Sequence, residues 1–345
     1  MKAIHIGRGS IIVEQPPKAL LSGLKRFSHA QGAYEMLYTL SKDESVLATL
    51  PGFVDRVKNL CPKYRTFDRR LKMPEPDMDA AIQVLGPWKE IADHLMGGGV
   101  ISAPEVMGRE RIIAAILKAY RRDALAERGT PLSVVACQDR DSACSLIGPL
   151  RELLPEREIG LETTNSHTDS DDIIIATYES LTSIPASYTG IVIGDDNPAD
   201  DYVSRAGYVS VFRDAARWGL FISPAGGKGP GFSLDIAAEG LFGPLAASMS
   251  YAEAVADNMA SAVTVCWLPA PQKPGPTLYG MSLKQLETAT MTDNAMFVHM
   301  VSDILKSIPK DMGCILYSEH ATLLQKIADR VPGAECWGGI RKSPA

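Results

Sequence analysis

Two short segments carry the residue types that could do chemistry. In TGIVIGDDNPAD an apolar run ends on two adjacent acids, Asp195 and Asp196. Neighbouring carboxylates at the end of a strand suit a divalent cation, but they serve more often as a polar cap. In GVISAPEVMGRERIIAAI an apolar strand pattern passes through Gly108, Arg109 and Glu110 into a helical one. Taken singly, neither segment matches a catalytic motif. Other constellations give less. Ser102 and Ser223 lack a GxSxG elbow or an identifiable base. His320 follows Glu319 without a further partner in sequence, and AGGKGPGF (225–232) reads as a mobile loop or a phosphate contact. TTNSHTDSDD (163–172) reads as an exposed acidic turn.

The elements that must position these residues come from a chain of 345 residues, 46% hydrophobic and 22% charged, long enough for two domains. No run approaches the ~18 apolar residues a membrane helix needs, so no membrane association is expected. MKAIHIGRGS lacks the apolar core of a secretory signal, and the expected location is cytoplasmic. Six scattered cysteines form no CxxC pair, so buried free thiols are expected rather than a zinc site or a disulfide framework. The net charge of −6 is uneven: residues 1–72 hold 13 Lys or Arg against 6 Asp or Glu. A basic arm on an acidic body fits a phosphate-bearing or acidic partner, and a merely solvated face fits as well.

Residues 1–78 read as a small basic domain. It has an extended start, a helical spacing at Leu20, Leu21, Leu24 and Phe27, and the basic segment KYRTFDRRLKMPEP, which runs into a linker at Pro74 and Pro76. From about residue 80 strand, loop and helix alternate, which predicts a parallel sheet with crossover helices. The strands fall in GGGVISAP, PLSVVAC, DDIIIATYESL, TGIVIGDD and RWGLFISP. A stiff connector, APQKPGP, follows. A helix in DNAMFVHMVSDILKSI, a strand in GCILYSEH, a helix in ATLLQKIADRV and a further strand in ECWGGI are expected after it.

Taken in order, these segments resemble the motif series of superfamily 2 helicases, especially the XPB-like, phage-type branch. GVISAPEVMGRERIIAAI sits where the family has its P-loop, usually APTGSGKT, and TYESL where it has a DNA-contacting threonine, here Thr177. IVIGDDNPAD occupies the place of the DEAH box, RWGLFISP that of RxGLTATP, and GLFGPLAASMSYAEAV a later strand and helix. The resemblance covers roughly residues 60–340. It implies an α/β fold: a RecA-like parallel sheet with flanking helices at 79–268, a small N-terminal α+β domain, and a linker with a partial second RecA-like domain at 269–345.

The departures from the pattern fall on the chemical groups. A P-loop needs glycines for close backbone approach, a Lys on the phosphates and a Ser or Thr on Mg²⁺. Here Gly108 is kept, while Arg109 stands for the Lys, Glu110 for the Thr, and Val106 and Met107 for the Gly-Ser pair. The direct alignment of the acidic box puts Gly194 and Asp195 on its two carboxylates; a one-residue slip supplies Asp195 and Asp196 instead. GPWK (86–89) replaces the adenine-gripping segment, and the later motifs of a second RecA-like domain fall beyond the resemblance. The expectation is a degenerate, C-terminally truncated helicase-like pseudoenzyme with no ATP or metal cofactor. It would bind nucleic acid (DNA before RNA) through Lys63, Arg65, Arg69, Arg70, Lys72 and Thr177, dock a protein partner, or do both. The alternatives are a nucleotide-dependent subunit with Arg109 on phosphate and Asp195 with Asp196 on Mg²⁺, completed by a partner, or a structural assembly subunit.

Overall fold

The computed structural model describes residues 2–7, 10–28, 33–70, 72–95, 97–195, 209, 211–223, 236–263, 282, 285, 288–309 and 312–336. Asp196, the glycine-rich loop 225–232, Cys266, the connector 270–276 and most of ECWGGI lie outside them. The chain forms two compact units, residues 1–262 and 263–345.

The first unit opens with strands β1 (Ala3–Ile6) and β2 (Ile11–Glu14), helix α1 (Lys18–Gly23), and strands β3 (Lys25–Ser28), β4 (Ala33–Met36), β5 (Tyr38–Leu40) and β6 (Val46–Thr49). Helix α2 (Val54–Leu60) and strand β7 (Arg65–Asp68) follow. Five of these strands form a sheet in the order β5-β6-β2-β1-β7, and β3 pairs with β4. The sheet is antiparallel except for the β1–β7 pair. Alternation puts Ile4, Ile6, Ile11, Val13 and Leu47 on one face, where they pack with Leu20 and Leu24 and with Val54 and Val57 of α2. The helical spacing read at 20–27 is cut short: α1 ends at Gly23, and Phe27 lies in β3.

Helices α3 (Met78–Leu85) and α4 (Ala92–Leu95) lead into β8 (Gly99–Pro104) and α5 (Arg109–Ala119). Then come α6 (Arg122–Ala126), β9 (Leu132–Cys137), α7 (Arg140–Leu153), β10 (Ile159–Glu162), β11 (Ile173–Thr177), β12 (Thr189–Asp195) and β13 (Ala216–Ser223). Helix α8 (Ile236–Phe242), β14 (Leu245–Ser248) and α9 (Tyr251–Ala256) close the unit. The seven strands β8–β14 form an all-parallel sheet in the order β10-β11-β9-β12-β13-β8-β14. This is the RecA-like α/β arrangement. Its central strands are mostly apolar because both faces are covered. One face packs on α3, α4, α5 and α7, the other on Tyr178, Phe212 and Phe242.

The two sheets meet at α8. A Cβ on Gly240 would stand 2.7 Å from both Leu50 and Phe53, so only glycine lets the small sheet's Phe53 lie against this helix. Arg56 clasps Glu239 beside it, with Nε donating at 2.9 Å. The proline segment after β7 is also held, since Met73 and Met78 pack on the large core and the Asp77 N–H donates to the Ala119 carbonyl at 2.8 Å.

In the second unit the described residues contain helices α10 (Ala295–Ser307) and α11 (Ala321–Ala328), packed through Val298, Leu323 and Ile327. Residues 313–320, expected as a strand, run as irregular backbone with Ile315 94% exposed, and the described residues of this unit contain no strand to pair with them. Among the described residues no helix is long and apolar enough to cross a membrane.

The thiols depart from expectation. Cys61 and Cys137 are buried, but Cys144, Cys314 and Cys336 are exposed. Residues 163–172 are more than an exposed turn. The Asp172 side chain is 5% exposed and holds Arg157 at 2.6 Å, because the parallel pairing of β10 and β11 sets the residues before the two strands side by side.

Candidate nucleotide-site remnant and basic face

In a parallel α/β sheet the crevice outside the carboxyl ends of the strands is where ligands bind. Several of the strands deliver polar residues there. β8 is followed by a tight turn, Glu105–Met107, and by Gly108 at φ +73°, a conformation that favours glycine. The Gly108 N–H donates back to the Glu105 carbonyl at 3.0 Å. The Glu110 carboxylate folds against Gly108, where a Cβ would stand. Val106 is 45% exposed, and Met107 is buried.

From the first turn of α5, Arg109 reaches past β13 to the end of β12. Its Nη1 donates to Asp195 Oδ2 at 2.8 Å, and its Nη2 donates to Ser145 Oγ of α7 at 2.7 Å. The Asp195 side chain is 6% exposed and that of Arg109 32%. Asp139, at the N-terminus of α7, accepts the Ser142 N–H at 2.8 Å. That bond, the Ser142 hydroxyl and the charge of Arg109 hold its carboxyl below the usual range. The cluster ties α5, β12 and α7 together. Asp139 and Ser145 were not anticipated; the cap pattern Asp139-x-x-Ser142 is the sequence signal for the first.

Gly194 lies one residue before Asp195. A Cβ there would stand 2.6 Å from Phe242 Cζ and 2.6 Å from Tyr178 Oη, so no acidic side chain fits at this position. Trp88 of GPWK is buried in the large core. Arg217 is buried at the opposite end of the sheet. Its Nη2 donates to the Phe212 carbonyl at 3.0 Å, and burial lowers its pKa to about 10.

A second polar cluster closes β10. Burial would raise the Glu162 carboxyl, but hydrogen bonds from His167, Ser183 and the Thr168 N–H prevail and hold it lowered. It lines a cleft of about 290 Å³ with Tyr188 and Ser170. Ser183 Oγ lies 2.9 Å from Glu162 Oε1 and 2.7 Å from the Ser180 carbonyl.

The predicted nucleic-acid residues fall in two places. Lys63, Arg65, Arg69, Arg70 and Lys72 are all exposed on and around β7, an edge of the small sheet. Arg70 pairs with Asp68 at 2.7 Å, and the Arg65 guanidinium lies 4.8 Å from the Phe67 ring centre. Thr177 ends β11 in the other sheet, 8% exposed, with its hydroxyl 3.0 Å from Ser180 Oγ.

No family model matches the chain, and no curated protein matches it. Among solved structures it is similar to the UvsW helicase from bacteriophage T4, at 13% identity and a TM-score of 0.50, over 71% of this chain and 99% of that one. A Sulfolobus solfataricus SWI2/SNF2 ATPase core in complex with dsDNA matches over 50% of this chain and 36% of that one, at 15% identity and a TM-score of 0.31. The first likeness is one of fold, and it agrees with the RecA-like α/β arrangement of this chain.

Proposed function

We propose that this chain is a catalytically inactive, helicase-like protein that binds nucleic acid through the basic face around β7. The observation that carries the inactive half is the Arg109–Asp195 ion pair. In a working site of this fold the cation at this loop meets phosphate and the acid meets the metal. Here each meets the other, at 2.8 Å.

The surrounding residues do not fit a magnesium nucleotide either. The Gly108 N–H is already used, and Glu110 sets a carboxylate beside the loop, where it would repel phosphate. Gly194 leaves no room for a second acid. No step through ATP is therefore assigned.

The binding half rests on the five exposed cations and on the helicase-like fold. Titration of a labelled DNA duplex followed by anisotropy tests it. If about four cations meet phosphates, affinity falls roughly 100-fold between about 50 and about 200 mM salt. Changing Lys63, Arg65, Arg69 and Lys72 together to Gln should remove most of that slope. Affinity indifferent to salt refutes the nucleic-acid reading. Calorimetry and a phosphate-release assay with Mg²⁺–ATP test the other half: saturable heat with magnesium-dependent hydrolysis refutes inactivity and favours the partner-completed enzyme.

A further inference from the structure

We infer that the outer face of the small sheet is a stacking platform for the unpaired bases of a single strand. The inference rests on the nucleic-acid reading above and adds to it the kind of nucleic acid and the groups that read it.

The sheet has two unlike faces. One is closed by α1 and α2 over Ile4, Ile6, Ile11, Val13 and Leu47. The register defines the other. His5 pairs with Phe67 on one side and Ile12 on the other, Ile12 with Ala48, and Ala48 with Thr39. These five residues form one row across all five strands, on the side away from the helices. None of them is buried; Ile12 is 40% exposed, and so is about a third of the His5 side chain.

The row is built for flat ligands. The His5 and Phe67 rings lie nearly parallel, 10° apart with centres at 5.1 Å, one stacked on the other, so they form a short aromatic stack that a base can extend. Arg65 is two residues before Phe67 on the same face, with its guanidinium against the ring. The β1–β7 ladder runs one residue further, where the Arg69 N–H donates to the Ile6 carbonyl at 2.8 Å, and alternation sets Arg69 beyond Phe67. Arginine, aromatic ring, arginine along one edge strand supplies a base-stacking surface between two phosphate partners. Glu14, two residues after Ile12, is engaged by His5 Nε2 at 3.3 Å.

An acidic peptide would meet the same cations but would leave the aromatic pair without a matching group. A duplex keeps its bases stacked inside. Only a strand with exposed bases uses both features.

The test compares two labelled strands of equal length, oligodeoxythymidylate and its abasic counterpart, which keeps every phosphate and loses every base. The expected result is roughly tenfold tighter binding of the thymidylate strand, the scale of one or two stacked bases. Phe67→Leu and His5→Ala, checked for folding by thermal melting, should reduce that preference to near unity and leave abasic affinity unchanged. Equal affinity of the unaltered protein for both strands, with steep salt dependence, overturns the platform and leaves phosphate binding intact. Failure to bind either strand or a duplex at low salt overturns the nucleic-acid reading itself.

Discussion

Breaking the Arg109–Asp195 pair gives the sharpest stability test. At 2.8 Å two unit charges attract by about 6 kcal/mol at an effective dielectric near 20. Desolvation of the Asp195 carboxylate, 6% exposed, cancels much of this. Water reaches Arg109, whose side chain is 32% exposed, and screens more. A net coupling of about 1–2 kcal/mol is left. The assay is a double-mutant cycle by urea denaturation with Arg109→Ala, Asp195→Asn and the pair together. Arg109→Ala should cost about 2 kcal/mol and lower Tm by about 4–8 °C, because it strands a buried carboxylate. Asp195→Asn should cost about 1 kcal/mol, and the double variant less than the sum by the coupling energy. Additivity to within about 0.3–0.5 kcal/mol refutes the pair as an energetic link between α5 and β12.

Other expectations concern packing and charge. Gly194→Ala drives a methyl into Phe242 and Tyr178 and should destabilise by about 1–3 kcal/mol in denaturant titration. Asp172→Ala strands the Arg157 guanidinium, whose side chain is only 9% exposed, and should cost about 3–5 kcal/mol, far more than a surface ion pair would. The Asp43 carboxyl is lowered to about 2 by hydrogen bonds from Ser41 and Ser45, so its stabilising contribution is complete above about pH 4 and is lost as pH falls towards 2. NMR titration should find Asp43 near 2, and near its ordinary value once Ser41 and Ser45 are both changed to Ala.

What the sequence displays depends on whether the causes are local. Strands β8, β9, β11, β12 and β13 are legible as apolar runs because burial on both faces leaves no polar alternation. β10 escapes notice because IGLE is only four residues long and stands between charged flanks. The spacing from Leu20 to Phe27 suggests a longer helix than forms, since β3 competes for its second half. In the site, the order of segments brings Gly108, Arg109, Glu110 and Asp195 to one end of one sheet. Their pairing is not legible, because it depends on how far an Arg side chain reaches across β13. Asp172 is the same lesson in reverse. Its acidic neighbours suggest solvent, while its partner Arg157 lies fifteen residues away in sequence.

The junction at Gly240 governs how any grip exerted by the small sheet is transmitted. A binding module on a slack tether adds local concentration and no direction. Here Phe53 rests against the α8 backbone and Arg56 is locked to Glu239, so the small sheet is bolted to the large one like a jaw to its frame. A strand held by the jaw leaves at a fixed angle to the parallel sheet, and a twist on that strand becomes torque on the whole first unit. Enlarging residue 240 would loosen the bolt without touching a single binding residue. The strand would stay held, but its heading would be lost.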